Sequence, residues 1–263
     1  MAGPNESISA SVQRDLVGSL ERGLAVLEIL AAHPAGLTLT ETAEKADLTR
    51  AGARRLLLTL VATGHARQEG RRFLLTARLL SLARIWLNEA SLWDYALPFL
   101  REVAEVTNES CSAAILAGTD VVYVARVPGQ RIMSVGLHVG TRLPAWCTSM
   151  GRVLLAGMAE QDRTRLIAQA PIVANTPKTL VNPTAIEDAI RRVGRDGYAI
   201  VDEELEIGLI SIAVPVRDRS GKVVAAINVP AQAGRYTSAQ LKARTLPHLR
   251  KAAASIENYF VVQ

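Results

Sequence analysis

Three arginines fall within six positions of the stretch TRAGARRLLLTL, as Arg50, Arg54 and Arg55, and three consecutive leucines follow them. A guanidinium offers a planar fork of donors that matches a phosphate, or the edge of a guanine, two bonds at a time. Arg67, Arg71, Arg72 and Arg78 extend the set against the single acid Glu69, so residues 49–78 carry +6 and the other 233 residues sum to −1. An ordinary helix with a solvated face would explain three arginines. It does not explain all the excess charge of a chain at +5 lying in one thirty-residue segment, which is the electrostatic footprint of a nucleic-acid binder.

Two further groups could do chemistry. In LPAWCTSMGRVLLA, small polar residues run into a helix expected to begin near Gly151, and free amides at a helix start attract anions. An ordinary capped helix is the alternative. Asp202, Glu203, Glu204 and Glu206 crowd one short run. Paired carboxylates can do acid–base work, although such a run is commonly a solvated loop. An enzyme using Asp202 or Glu203 as general base, with the helix start at Gly151 as oxyanion site, is therefore an alternative reading. Against it, nothing matches GxxxxGK[ST] or GxGxxG, Ser149 does not lie in GxSxG, and His33, His65, His138 and His248 are scattered away from any metal-like spacing. No catalytic residue, metal or cofactor is expected.

Composition narrows the setting. The chain is 49% apolar but only 4% aromatic, which suits an aliphatic core. No apolar run approaches the ~18 residues of a spanning helix, so no membrane is expected as a partner. The opening MAGPNESISASVQRD has no basic region followed by an apolar stretch, so it reads as a fraying tail rather than a secretory signal. Cys111 and Cys147 belong to no CxxC or Cys/His pattern and read as free thiols in a reducing cytoplasm.

The elements that must position these groups are legible in outline. Residues 19–33 carry Leu20, Leu24, Leu27, Leu30 and Ala31 at helical spacing, with Ser19 as N-cap and Pro34 and Gly36 as stop. Thr38-Leu39-Thr40-Glu41 is a capping box opening a short helix that ends near Ala46. Thr49 caps a third helix to about Thr63, closed by Gly64, with Leu56, Leu57, Leu60 and Val61 facing the core and the arginines opposite. ARQEGRRFLLT then reads as a hairpin around Gly70. Helix, helix, tight turn, helix and hairpin have the proportions of a winged helix-turn-helix. Residues 77–90 give an apolar helix suited to pairing with a second subunit.

From Ser91 the texture is α/β with a mainly antiparallel sheet. A helix covers SLWDYALPFLREVAEVT, and strands SCSAAIL and VVYVARV flank a turn at Ala117–Asp120. RIMSVGL is a further strand. Helices follow over GRVLLAGMA, over 162–169 and from Pro183 to Arg195, then strands YAIVDEEL, LISIAVPVRD and KVVAAINVP, and a closing helix from Ser238 to about Tyr259. The expected organisation is α+β in two domains: a tail over 1–15, a DNA-binding domain over 16–77, a linker helix over 78–90 and a second domain over 91–263.

From about Leu16 to Phe260 the chain resembles the IclR family of bacterial transcriptional regulators. The motifs that carry the resemblance are SLERGLAVLEIL, LTRAGARRLLLTL, VGTRLPAWCTSMGRVLLA and GYAIVDEELEIGLISIAVPVRDRSGKVVAAINV. SLWDYALPFL and VARVPGQRIMSVGLHVGTRLPAWCTSMGRVLLA resemble the branch governing protocatechuate, p-hydroxybenzoate and β-ketoadipate catabolism. The resemblance implies a GAF/PAS-like effector-binding domain, operator DNA as partner, and dimers that often pair into tetramers. It also implies a small carboxylic or aromatic acid held by amides of the loop before the GRVLLA helix, here Ser149 and Met150 beside Gly151, with Asp202 contacting it. The position of a family cysteine is Ser211, and two family serines read Asn228 and Pro230. Arg126, Arg131 or Arg142 would pair with the acid's carboxylate. Thr38, Thr49, Arg50, Arg54, Arg55, Arg71 and Arg72 are the expected DNA contacts.

Overall fold

The computed structural model describes residues 17–79, 91–129 and 137–262, and the chain divides into two compact units, Met1–Glu89 and Ala90–Gln263. The expected tail, most of the linker helix, Arg131 and all but the last residue of RIMSVGL lie outside the described residues.

The first unit runs α1 (Gly18–Ala31), β1 (Leu37–Thr38), α2 (Leu39–Lys45), α3 (Arg50–Ala62), β2 (Ala66–Glu69) and β3 (Arg72–Leu75). Local polar bonds set its helix starts. The Glu41 amide donates to Thr38 Oγ at 3.3 Å and the Thr38 amide to Glu41 Oε2 at 2.7 Å, which completes the capping box of α2. The Gly52 amide donates to Thr49 Oγ at 3.1 Å and starts α3. Between them Asp47 takes φ 51°, a turn conformation that aspartate tolerates better than most residues. Val26, Leu30, Leu57, Leu60 and Phe73 close the core. Two expectations change. Ser19 does not cap α1, which starts two residues earlier from Val17 with no side-chain cap bond. The wing has three strands in the order β1-β3-β2, because Leu37 and Thr38 pair with Phe73 and Arg72.

The second unit runs α4 (Ser91–Thr107), β4 (Cys111–Ala117), β5 (Asp120–Val127), β6 (Arg142–Pro144), α5 (Ser149–Ala156), α6 (Glu160–Gln169), α7 (Pro183–Asp196), β7 (Ala199–Asp202), β8 (Leu209–Arg217), β9 (Val223–Gln232), α8 (Ser238–Glu257) and α9 (Tyr259–Val262). The six strands form one antiparallel sheet in the order β6-β5-β4-β9-β8-β7. Both faces are covered, so the strands read as near-continuous apolar runs. Ile210, Ile212 and Val214 of β8 and Ile227 and Val229 of β9 face α4 and α8. Ala213 and Ala226, on the opposite face, meet Leu155 of α5 and Ile186 and Ile190 of α7.

Two local features shape the site. The β4–β5 register shifts between Ala113 and Ala114, which pair with Ala125 and Tyr123 and leave Val124 as an extra residue. This bulge reverses the alternation, so Tyr123 and Arg126 share a face although they are three apart. Helix α5 begins at Ser149 rather than near Gly151, because the Thr148 hydroxyl accepts from the Gly151 amide at 3.3 Å.

Candidate functional site

In the first unit, Arg50 and Arg54 lie one turn apart on α3 and open onto the same groove as Arg71 of the wing, with Thr38, Thr40 and Gln68 on its walls. Arg50, Arg54 and Arg71 are exposed. Among the described residues no acid forms an ion pair with any of them. Ala51 and Gly52 keep the first turn of α3 slim. Arg55 is exposed on the neighbouring row of α3, outside this groove. Arg72 has a different employment: its Nη1 donates to the Gly36 carbonyl at 2.7 Å and lies 3.8 Å from Glu41 Oε2, binding the wing to α2. Thr38 and Thr49 spend their hydroxyls as caps. The groove therefore offers converging, unneutralised guanidinium groups beside a helix N-terminus, an arrangement suited to a phosphate backbone and base edges.

In the second unit a cavity of about 220 Å³ opens between the start of α5 and the sheet. This is below the usual range for drug-sized ligands, and suits a molecule of one ring. Leu137, Leu143, Val201, Leu205 and Leu209 supply apolar wall, while Ser149, Met150, Ser211 and Asn228 also line it. Thr148 Oγ donates to the Pro144 carbonyl at 2.9 Å while taking the Gly151 amide. Among the described residues the amides of Ser149 and Met150 find no acceptor and remain the free donors of the helix start. Ser211 Oγ donates to Ser149 Oγ at 2.9 Å, both residues being buried. Burial pushes the Tyr123 phenol and the Cys147 thiol each up to about 12, so both line the cavity as neutral groups.

Of the three arginines considered for an acid, Arg126 lines the cavity, with Nη1 donating to Ser112 Oγ at 3.3 Å. Arg142 is turned outward onto Asp120 Oδ2 at 3.1 Å and the Ala117 carbonyl at 2.9 Å. Asp202 does not line the cavity. Its neighbour Val201 does, and strand alternation turns Asp202 the other way, where its Oδ1 lies 3.9 Å from Lys178 Nζ. Gly151 stands behind the wall, where a Cβ would lie 2.0 Å from the Ala145 carbonyl oxygen. The carboxylates of the alternative enzyme reading are likewise occupied. Glu203 pairs with Lys178 and accepts from the Gly208 amide at 2.7 Å, which holds its carboxyl below the ordinary range. Glu204 is locked to Arg152. Within this acidic run Glu206 is the residue that reaches the cavity lining.

Sequence reading did not single out Tyr123 or Cys147 as cavity residues. The signal for Tyr123 is hidden by the bulge, since a spacing of three on a strand normally means opposite faces.

Residues 19–70 match the IclR helix-turn-helix domain and residues 85–258 match the bacterial transcriptional regulator IclR C-terminal domain. The chain is 38% identical over 258 residues to the Pca regulon regulatory protein of Pseudomonas putida, covering 97% of this chain and 89% of that protein. It is 34% identical over 249 residues to the p-hydroxybenzoate hydroxylase transcriptional activator of Acinetobacter baylyi, covering 93% of this chain and 92% of that one. A solved IclR homolog from Microbacterium hydrocarbonoxydans, in complex with 4-hydroxybenzoate, superposes with a TM-score of 0.82 at 26% identity over 93% of this chain and 100% of that chain. These relatives are regulators, so the enzyme reading falls. A winged helix-turn-helix joined to an α/β unit with a small cavity, matched by both domain models over most of its length, makes this chain a member of the IclR family of bacterial transcriptional regulators.

Proposed function

We propose that this chain is a transcription factor for aromatic-acid catabolic genes whose hold on operator DNA is set by a small aromatic acid. The observation that carries the DNA half is the convergence of Arg50, Arg54 and Arg71 on one groove with no acid paired to them among the described residues. Arg50, Arg54 and Arg55 enter the major groove from the start of α3, with Thr49 fixing that start. Arg71 grips the backbone beside it, while Thr38 and Arg72 hold the wing and α2 in place. The acid occupies the cavity lined by Ser149, Met150, Ser211 and Asn228, with Gly151 permitting the approach of α5 to Ala145.

A single winged helix reads few bases, so the working form is a dimer, or a pair of dimers, on a two-fold operator. The acid acts by binding one arrangement of the assembled chains better than another, and its leverage is limited by that difference in affinity. Two free cysteines, both buried, suit work in the cytoplasm.

The test is a titration against the intergenic DNA upstream of the chain's own gene at several salt concentrations, with and without protocatechuate, p-hydroxybenzoate and β-ketoadipate. Selective binding with a steep negative salt slope, altered by one acid, is the expected result. Selective binding untouched by all three would assign the regulator to another pathway. Absence of selective DNA binding would refute the proposal.

A further inference from the structure

The effector cavity is electrically lopsided, and resting on its reading as the effector site, we infer that it selects a hydroxyl-bearing aromatic monoacid whose carboxylate lies on Arg126. The hydroxyl then points to the start of α5. This orientation is the reverse of the one implied by the family resemblance, which puts the carboxylate on the Ser149 and Met150 amides.

Three observations carry the inference. First, Arg126 is the cation of the described lining; it is half-buried, with the Ser112 hydroxyl as its neutral partner and no ion pair among the described residues. A full positive charge drawn out of water beside leucines is costly until an anion joins it. Second, Arg126 points into the cavity only because of the bulge at Val124, which brings it to the same face as Tyr123. Bulges of this kind commonly re-aim a side chain at a site. Third, the acid of the lining, Glu206, comes from the β7 end of the sheet, and among the described residues no ion pair joins it to Arg126. The sheet order is β5-β4-β9-β8-β7, with Arg126 on β5 and Glu206 in the loop that leaves β7. Ser211 of β8 and its partner Ser149 lie at that same far end, three strand spacings from β5, about 14 Å along the sheet.

A ligand must therefore present an anion to β5 and a neutral polar group to the β7–β8 end, with an apolar body between them. A phenolic hydroxyl fits the far end in both directions, accepting from the Ser149 and Met150 amides and donating to Glu206. A second carboxylate there would face Glu206 with no cation of the described lining to balance it. The cavity thus discriminates 4-hydroxybenzoate-like acids from diacids of equal length, by charge rather than by size.

Calorimetric titration of the full chain with 4-hydroxybenzoate, benzoate, terephthalate and β-ketoadipate tests this directly. Terephthalate carries a carboxylate where 4-hydroxybenzoate carries its hydroxyl. The expected order is 4-hydroxybenzoate tightest, with benzoate and terephthalate each roughly tenfold or more weaker. Arg126→Gln should weaken 4-hydroxybenzoate by roughly 10- to 150-fold, the range for a hydrogen bond to a charged group, and Arg126→Lys should restore part of it. Operator affinity of the unliganded variants should match the parent chain, which also reports that they fold. Terephthalate or β-ketoadipate binding at least as tightly as 4-hydroxybenzoate would overturn the inference. So would 4-hydroxybenzoate binding unaltered in a folded Arg126→Gln protein, in which case the proposed function still stands. If the parent chain holds operator DNA but binds none of the four acids, the inference and the aromatic-acid reading fall together.

Discussion

Arg152 and Glu204, 52 residues apart in the chain, face each other through two parallel hydrogen bonds of 2.6 Å, with side chains only 5% and 9% exposed. Arg152 Nε also donates to the Trp146 carbonyl at 3.1 Å, and Glu204 Oε2 accepts from the Leu180 amide at 3.1 Å. The pair joins the first turn of α5, whose Ser149 and Met150 line the cavity, to the loop that contributes Leu205 and Glu206 to it. Bidentate geometry of this kind fixes direction as well as distance.

Removing one partner leaves the other charge buried, so Glu204→Ala should cost the second unit about 3–5 kcal/mol. Urea unfolding monitored by tryptophan fluorescence measures it. A loss below about 1 kcal/mol would mean that water readily replaces Glu204, contrary to the burial seen. Replacing both partners together with apolar residues of similar volume should cost far less than either single change.

The arginines of the first unit should separate into two kinds. Arg54→Ala should weaken operator binding by about 1–3 kcal/mol if it reads a base, with the loss confined to one base position. Arg71→Ala should weaken all sequences alike and flatten the salt slope by about one unit. Arg72→Ala should instead lower the thermal stability of the first unit by about 1 kcal/mol, because its Nη1 holds the Gly36 carbonyl. Thermal melts and salt-dependent DNA titrations on the same three variants check the division; a salt slope changed by Arg72→Ala and untouched by Arg71→Ala would reverse it.

Alkaline pH should destabilise the second unit. Burial lifts the Cys147 thiol from its ordinary 9.0, and the Tyr123 phenol from its ordinary 10.0, each to about 12. An acid whose folded pKa exceeds its unfolded one keeps its full contribution below the unfolded value and loses it as pH climbs to the folded value. Stability is thus expected to hold up to about pH 9 and to fall between there and pH 12. Cys147→Ala should flatten the first part of that fall, seen as a smaller drop in melting temperature between pH 8.5 and 10.5. An unchanged profile would show that the thiol does not titrate in the unfolded chain as assumed.

Gly151→Ala probes the packing behind the cavity. The added Cβ would lie 2.0 Å from the Ala145 carbonyl oxygen and 2.3 Å from Ala145 Cα, and backbone on both sides leaves no flexible atom to yield. Overpacking of this sort costs about 1–3 kcal/mol. Because the displaced helix start carries the Ser149 and Met150 amides, effector affinity should fall with stability. A variant as stable as the parent, by urea midpoint, would show that the loop before α5 is free to shift.

The helices and their caps were largely legible because their determinants are local. Thr38 with Glu41 and Thr49 with Gly52 each fix a helix start through residues three apart. The charge segment was legible for the same reason, since a groove lined by Arg50, Arg54 and Arg71 needs only a helix face and the hairpin that follows it. Where neighbours of low sequence separation decide, composition and spacing suffice.

The cavity belongs to the other category. Strand β1 was missed because two residues carry no periodicity and owe their conformation to pairing with Phe73 and Arg72. Asp202 looked like a ligand contact, but alternation about Val201 turns it toward Lys178. Asp202 or Glu203 offered a general base, but Glu203 pairs with Lys178, 25 positions away, and the neighbouring Glu204 with Arg152, 52 positions away. Arg126 and Tyr123 share the cavity wall through one extra residue in β5 that only its pairing with β4 creates. The sequence by itself determined that there would be a basic winged helix and an α/β partner unit, because short-range hydrogen bonds and helical periodicity specify both. Which charges remain free to meet a ligand was decided by tertiary structure alone, because a charge is free only when no distant partner has been folded against it.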